Sequence, residues 1–356
     1  MYDVIIVGGG IAGCYLASRL GGLNVLLIEK DKKVTLKDSG IVSRDFLEFF
    51  SKKFVKTGIT RMNLFSPSGK SFTLYGKEPF AYILRREAFG RYLRSIARKA
   101  DIVYEAVTGV EYFEDFVRVT TTGGSYEGKV VVGADGAGSA VRKAAGIESP
   151  QLSLGMMVHT AAKLHGNIDV FFDKRYSPDF FTWIIPQNNE YGIMSMSRPR
   201  ERLKFFAREH YLPHGRITAH MIPTGYVKSY AHRTLLVGDS AGQNKPLTGG
   251  GIMFGLRAAA YASSVLRAGN YSIGGLSRYE KLWKRDFGWE IDKQFLARTF
   301  YKKFTNKQLD RIFTELGPEI EKLSGFDYDK FSGSWIRLPK IKLLKIAVST
   351  LAGILL

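Results

Sequence analysis

The strongest constraint on this chain lies at its start. Tyr2 to Val7 is a short apolar run, and Gly8-Gly9-Gly10-Ile11-Ala12-Gly13 follows without a break. Ile11 to Leu20 has helical spacing, and Asn24 to Ile28 is a second apolar run closed by Glu29. Strand, glycine turn, helix, strand and acid in that order describe a βαβ unit and argue for a parallel sheet. Gly8 permits the tight turn, Gly10 lets the backbone approach a pyrophosphate, and Gly13 lets helix and strand pack closely. The helix start offers unpaired N–H groups and partial positive charge to an anion. Glu29 is placed to accept hydrogen bonds from ribose hydroxyls, and its charge disfavours a 2′-phosphate. The glycine pattern alone is common in ordinary turns. In this setting it predicts a dinucleotide-binding domain.

The remaining chain alternates between strand and helix signals, with no internal repeat or low-complexity tract. Ser43 to Ser51 has helical spacing, and Ile59 to Tyr75 reads as two extended arms around the turn Ser66 to Gly69. Glu87 to Ala100 is a basic amphipathic helix with Phe89, Leu93, Ile96 and Ala97 on one face. Short strands ending near Val132 follow, with a helix beginning after Asp135. Leu152 to Ile222 reads mostly as strand, with aromatics at Phe171, Phe172, Phe180, Phe181 and Trp183. Thr234 to Val237 is a buried strand, Gly249 to Leu266 a long helix, and the chain from Leu276 onward is helical and basic. The predicted class is α/β: a discontinuous Rossmann-type nucleotide domain over 1–55, 79–150 and 230–275. A β-rich substrate domain at 56–78 and 151–229 is inserted into it, and 276–356 forms a helical C-terminal region.

Composition narrows the function classes. With 45% hydrophobic and 24% charged residues over 356, the chain is globular with a sizeable core. The lone Cys14 excludes an internal disulfide and a cysteine metal cluster. His210 and His214 stand at i, i+4, but Pro213 and Gly215 break any helix there, so a zinc pair and any other metal centre are not expected. The net charge of +19 favours polyanions: nucleic acid, anionic headgroups or a diphosphate substrate. The basic residues carry no RNA-binding module, so nucleic acid is not an expected partner.

Met1 to Ser18 is apolar and ends near a lipoprotein-like Ile11-Ala12-Gly13-Cys14. It has no basic start, carries Asp3 and is interrupted by three glycines, so it reads as folded structure. At the other end Lys340, Lys342 and Lys345 precede Ile346 to Leu356, a run too short to cross a bilayer. Residues 338–356 suit either a membrane-surface helix or a terminal helix docked on the protein's own core. The expected location is cytoplasmic, with peripheral association to an anionic membrane surface.

Two further segments identify the nucleotide. Gly133-Ala134-Asp135-Gly136 with Ser139 and Arg142, then Val237-Gly238-Asp239-Ser240-Ala241-Gly242, resemble the second and third fingerprints of the p-hydroxybenzoate-hydroxylase-like flavoproteins. Arg86, in Arg-Glu-Ala-Phe, matches an arginine that contacts FAD in that superfamily. The resemblance implies FAD, with Asp239 on the ribityl chain and Asp135, Gly136 and Gly238 around the cofactor. No second glycine fingerprint supports a separate, tightly held NAD(P).

The segment Gly242-Gln243-Asn244-Lys245-Pro246-Leu247-Thr248-Gly249-Gly250-Gly251-Ile252 resembles the geranylgeranyl reductase motif, in which Pro, Thr and three glycines precede a long helix. The resemblance makes Pro246, Gly249, Gly250, Gly251 and Ile252 cofactor contacts. Glycines at a helix start expose N–H groups that stabilise negative charge on a reduced flavin. Phe181-Thr182-Trp183-Ile184-Ile185-Pro186 is similar to the family's aromatic-x-Trp-x-aromatic-Pro element, with Ile185 in place of an aromatic. That element implies an isoprenoid pocket bounded by Phe181, Trp183 and Pro186. Its plainer reading is two core aromatics on a strand. The family often carries a Cys facing the flavin after strand two; here Lys37-Asp38-Ser39-Gly40-Ile41-Val42-Ser43 has none, and Asp38 or Ser39 takes its neighbourhood.

The resemblance spans roughly residues 1–270 and implies an FAD-dependent reductase saturating C=C bonds of geranylgeranyl or polyprenyl chains, in isoprenoid lipids or their diphosphate precursors. Its electrons would come from NAD(P)H or a ferredoxin-like protein. An isolated double bond is unpolarised, so a proton must arrive with the hydride, and the site must be dry, apolar and supplied with an acid. Asp38, Ser39 and Tyr191 are the catalytic candidates, with His159 beside them. Two other readings stay open. A monooxygenase of the same fold would couple oxygen uptake to NADPH oxidation, and a non-catalytic prenyl-binding flavoprotein would show no redox turnover.

Overall fold

The computed structural model describes residues 1–34, 37–322 and 328–330. It opens with β1 (Tyr2–Val7), α1 (Ile11–Arg19) and β2 (Val25–Ile28). β3 (Ile41–Ser43), a single turn α2 (Phe46–Phe49), β4 (Val55–Ile59), β5 (Arg61–Phe65), β6 (Ser71–Tyr75) and β7 (Ala81–Leu84) follow. Next come α3 (Arg86–Ile96), β8 (Asp101–Val103), β9 (Val107–Tyr112), β10 (Val117–Thr121), β11 (Ser125–Gly133) and the short α4 (Ala140–Ala144). Then β12 (Gln151–His159), β13 (Ile168–Phe171), β14 (Thr182–Ile185), β15 (Glu190–Met194), α5 (Pro199–Glu209) and β16 (Arg216–Thr224). The rest is β17 (Tyr230–Ala231), β18 (Thr234–Leu236), α6 (Ile252–Arg267), α7 (Ile273–Trp283), α8 (Trp289–Lys303) and α9 (Asn306–Glu321).

The chain forms two compact units. The first comprises Met1–Leu36, Arg85–Leu152 and Met221–Asp292. Its sheet runs β17-β18-β11-β1-β2-β8, with the β9–β10 hairpin added at β11. The pairs β1–β11, β1–β2, β2–β8 and β11–β18 are parallel, and Val7 aligns with both Ile28 and Gly133. Val4 to Val7 and Val25 to Ile28 are buried without alternation, as expected for interior strands of a sheet covered on both faces. α1 packs on α6 and α3, and α7 packs on α6 and β17.

The second unit comprises Lys37–Leu84, Ser153–His220 and Lys293–Leu356. Its larger sheet runs β16-β12-β15-β14-β13-β5-β6. All its pairs with a described register are antiparallel except β13–β5. Strand alternation divides this sheet's side chains cleanly. Met156, Val158, Tyr191 and Ile193 face Leu203 and Phe206 of α5. Ile168, Val170, Ile185 and half-buried Trp183 face Ile59, Ala81 and Ile83 of a second, three-stranded sheet β3-β7-β4, together with Phe313 of α9.

Several sequence expectations need correction. β3, α2 and β7 belong with the second unit, not the nucleotide domain assigned to 1–55 and 79–150, because β3 pairs with β7, and β7 with β4, in one antiparallel sheet. The region 276–356 is not one body: α7 completes the first unit, while α9 packs on β6 in the second. The strand-like stretch Leu152 to Ile222 contains the helix α5. Pro199 sits in its first turn, none of its residues is β-branched, and Leu203 and Phe206 share the buried stripe. The proposed membrane-surface helix 338–356 lies outside the described residues.

Candidate functional site

In the first unit the glycine turn is built as its sequence requires. Gly8 takes φ +103°, and a Cβ there would stand 2.4 Å from the Ala134 carbonyl oxygen. A Cβ on Gly13 would fall 1.9 Å from the Gly8 oxygen, so helix and turn meet at a spacing only glycine permits. Gly10 faces open space: nothing lies within 4 Å of its Cβ direction. Gly10 is also the N-cap of α1, and no side chain caps that helix. The result is an uncapped helix start with free room before it, as a pyrophosphate requires. Glu29 ends β2 and turns back over the cradle. Its Oε2 accepts from the Gly9 N–H at 2.6 Å and its Oε1 from Asp31 N–H at 2.9 Å, leaving further acceptor capacity on each oxygen.

The other fingerprints close around this turn. The Ala134 N–H donates to the Val7 carbonyl at 2.7 Å, placing Asp135 and Gly136 beside Gly8. The Asp135 carboxylate accepts from Ala140 and Val141 N–H at 2.7 and 3.2 Å and so caps α4, and burial raises its pKa. Arg142 is 3% exposed and donates to Ser240 O, Ala137 O and Ser149 Oγ, pinning the second fingerprint to the third. Gly238 adopts φ +74° with its Cβ direction 3.4 Å from Ala12, and Asp239 is exposed on the turn after it. Asp239 Oδ1 lies 3.1 Å from the Cβ direction of Gly251, the N-cap of α6.

The loop from Lys245 to Gly251 folds on itself. Lys245 N–H donates to Gly250 O, and Thr248 and Gly249 N–H donate to Lys245 O. Pro246 is buried, Gly249 has φ +71°, a Cβ on Gly250 would collide with Lys245 Cε, and Ile252 opens α6. Asn244 Oδ1 and Thr248 Oγ1 are buried here without a hydrogen-bond partner. Orphaned polar atoms at a helix start fit a bound polar group, and together with the Gly10 cradle they fit a dinucleotide such as FAD. Arg86 is half-buried and opens α3, which packs on α1.

In the second unit the candidates separate. Asp38 Oδ1 accepts from Gly40 N–H at 2.9 Å, and its charge acts on Glu190 and His220. Tyr191 points toward α5, and its hydroxyl donates to Pro213 O at 2.9 Å. Ser39 lies over the opposite face, so the two are not brought together. The Ser39 hydroxyl donates to Glu190, a residue sequence reasoning missed, and also reaches Met157 Sδ at 3.7 Å. Trp183 Nε1–H donates to Glu190 Oε1 at 3.2 Å, and His159 Nδ1 stands 3.8 Å from Oε2. The Glu190 side chain is 1% exposed, and its pKa is pushed up to about 7, chiefly by burial. The signal available was a carboxylate in the first position of an apolar strand, Glu190-Tyr191-Gly192-Ile193-Met194.

Phe181, Trp183 and Pro186 lie on or beside β14. Phe181 stacks on Phe180 at 4.2 Å and meets Phe172 and Trp183 at 5.7 and 6.0 Å, while Pro186 is buried at the turn after the strand. Among the described residues no three metal-ligating side chains converge, and no described helix is long and apolar enough to cross a membrane.

The family model described as lycopene cyclase protein matches residues 3–316. An uncharacterized protein of Methanocaldococcus jannaschii is 30% identical over 353 residues, covering 92% of this chain and 89% of that protein. The digeranylgeranylglycerophospholipid reductase of the same organism is 28% identical over 369 residues, covering 93% and 94%. Among solved structures, a geranylgeranyl bacteriochlorophyll reductase-like protein from Thermoplasma acidophilum superposes with a TM-score of 0.82 at 20% identity, over 94% of this chain and 95% of that one. A p-nitrophenol 4-monooxygenase from Pseudomonas putida gives 0.69 at 18% identity, over 90% and 95%. At such identities the solved structures establish the fold alone. The chain belongs to the lycopene cyclase protein family, and is similar over nearly its whole length to proteins named digeranylgeranylglycerophospholipid reductase.

Proposed function

We propose that this oxidoreductase uses FAD to saturate C=C bonds of geranylgeranyl or polyprenyl chains, in isoprenoid lipids or their diphosphate precursors. The observation that carries the reading is similarity to a digeranylgeranylglycerophospholipid reductase over 93% of this chain and 94% of that one. The glycine cradle at Gly8, Gly10 and Gly13 binds the pyrophosphate, Glu29 the ribose, and the Asn244–Ile252 loop the flavin end. Arg86, Asp135, Gly136, Gly238 and Asp239 complete the cofactor contacts. Bound FAD, when reduced, supplies a hydride to carbon. The chain's own task is to hold an apolar chain in a dry place and deliver a proton. The aromatic group of Phe181 and Trp183, bounded by Pro186, forms the wall against which a prenyl chain lies. The surplus of cations favours anionic lipid surfaces and substrate headgroups, and NAD(P)H or a ferredoxin-like protein supplies electrons.

The test is anaerobic. Purified yellow protein, reduced with dithionite and mixed with digeranylgeranylglycerophospholipid, should yield lipid heavier by two hydrogens for each saturated bond. Colourless protein that takes up no FAD, or a fully reduced flavin that leaves the lipid mass unchanged, refutes the reading.

A further inference from the structure

We propose that the outer face of α8 in the second unit is the surface by which the protein lies on an anionic lipid bilayer, an inference that rests on the prenyl-lipid reading above. Residues 293–303 of α8 are arranged inside out. The two fully buried side chains of this stretch are polar, Gln294 and Arg298, whereas Leu296 is 57% and Phe300 47% exposed. Single apolar residues on a surface are ordinary. A helix that buries an amide and a guanidinium while it presents Leu and Phe outward is matched to something other than water.

The roll of the helix is fixed from within the same unit. Arg298 Nη2 donates to Ser153 Oγ at 2.8 Å and stands 3.6 Å from Asp179 Oδ2, and the guanidinium lies over the Phe180 ring. Tyr301 donates its hydroxyl to Phe180 O and meets the Phe172 ring at 6.1 Å. Lys174 Nζ donates to the Tyr301 carbonyl at 2.7 Å. Turning the helix to bury Leu296 and Phe300 would break these contacts. With the roll so set, Leu296, Phe300 and Lys303 follow at i, i+4 and i+7 on the opposite side.

Charge selects the partner. From Lys293 to Leu309 the sequence holds Lys293, Arg298, Lys302, Lys303 and Lys307 and no acid. Lys302, Lys303 and Lys307 are exposed, and the next acid, Asp310, is taken up by the Ser66 and Ser68 hydroxyls. An apolar spot rimmed by flexible lysines fits a bilayer interface: the ammonium groups meet lipid phosphates while Leu296 and Phe300 enter the acyl boundary. On the inner side Tyr301 touches Phe172, which meets Phe181 at 5.7 Å. The aromatic group that receives the prenyl chain therefore lies about one helix diameter, roughly 10 Å, behind the lipid surface.

The experiment uses full-length holoenzyme and vesicles of phosphatidylcholine, with or without about one-third phosphatidylglycerol. Wild type should sediment with the anionic vesicles, not the neutral ones, and should be released as salt rises. The triple variant Lys302→Gln, Lys303→Gln, Lys307→Gln should bind about 100-fold more weakly. The double variant Leu296→Gln, Phe300→Gln should lose at least about tenfold. Both should reduce detergent-dispersed prenyl lipid at the wild-type rate. An environment-sensitive fluorophore on Leu296→Cys, the native Cys14 being buried, should shift to the blue on anionic vesicles. If a glutamine variant does not fold, the label decides alone. Wild type that ignores anionic vesicles, or folded variants that bind as tightly as wild type, overturn the proposal. Vesicle binding with the label still in water overturns it by assigning attachment to another part of the chain. A label already shielded without lipid also overturns it, because the protein itself or a second copy then covers the face. Wild type that binds vesicles through α8 but reduces no prenyl lipid overturns the functional reading and leaves the surface standing.

Discussion

The buried Glu190 should leave a mark on folding that is independent of any substrate. Its pKa moves from 4.5 to about 7 in the folded protein, chiefly through desolvation. Between those values the native state holds a proton that the unfolded chain has released, so stability falls as pH rises through the window. The full contribution is present below the unfolded value and is lost above about pH 7. A shift of this size is worth about 3 kcal/mol at roughly 1.4 kcal/mol per unit. The burial of His159, His210 and His220 acts in the opposite direction, since their lowered pKa values cost stability as pH drops. The quantity to measure is therefore wild type minus Glu190→Gln, in which His210 and His220 cancel. Urea unfolding followed by circular dichroism from about pH 8 down to about pH 5 should show this difference growing in favour of wild type by about 3 kcal/mol. A difference that is flat with pH, or that grows as pH rises, refutes the buried-acid argument.

Two other substitutions test the glycine cradle and Tyr191. Gly13→Ala forces a Cβ to 1.9 Å from the Gly8 oxygen, so the purified protein should lose its yellow colour and should unfold at least about 2 kcal/mol more easily in urea. Tyr191→Phe removes one hydrogen bond to Pro213 O, so it should cost about 1 kcal/mol in a urea titration while leaving the rate of lipid reduction within about twofold of wild type.

The nucleotide unit was legible because its signals are local. Gly8, Gly10 and Gly13 announce a backbone geometry that side chains cannot enter, and Glu29 follows at the next strand's end. The unit boundaries were less legible because sheet partners need not be sequence neighbours: β3 and β4 find β7 across a long interval. α5 was hidden by its setting. Arg198 to His210 carries an N-terminal Pro, good helix formers and an apolar stripe, yet lies within strands on both sides. Glu190 was missed beside a residue that was singled out. Tyr191 and Glu190 are adjacent, and only the pairing register reveals which faces α5 and which faces Ser39.

That register also ties Trp183 to Glu190. Trp183 pairs with Gly192, two residues from Glu190 and on the same side of the sheet. A Cβ on Gly192 would stand 2.4 Å from Trp183 Cζ2, so only glycine lets the indole lie flat across the strand. Lying there, the ring joins the apolar cluster of Val170 and Ile185 while its N–H reaches Glu190 Oε1. One side chain therefore presents a dry surface and stabilises the carboxylate behind it. The Trp183 and Ser39 donors both pull the Glu190 pKa down against a larger desolvation effect, and the balance lies near neutrality. A fully apolar pocket would hold the same acid too tightly to release its proton, and a wetter one would leave it ionised.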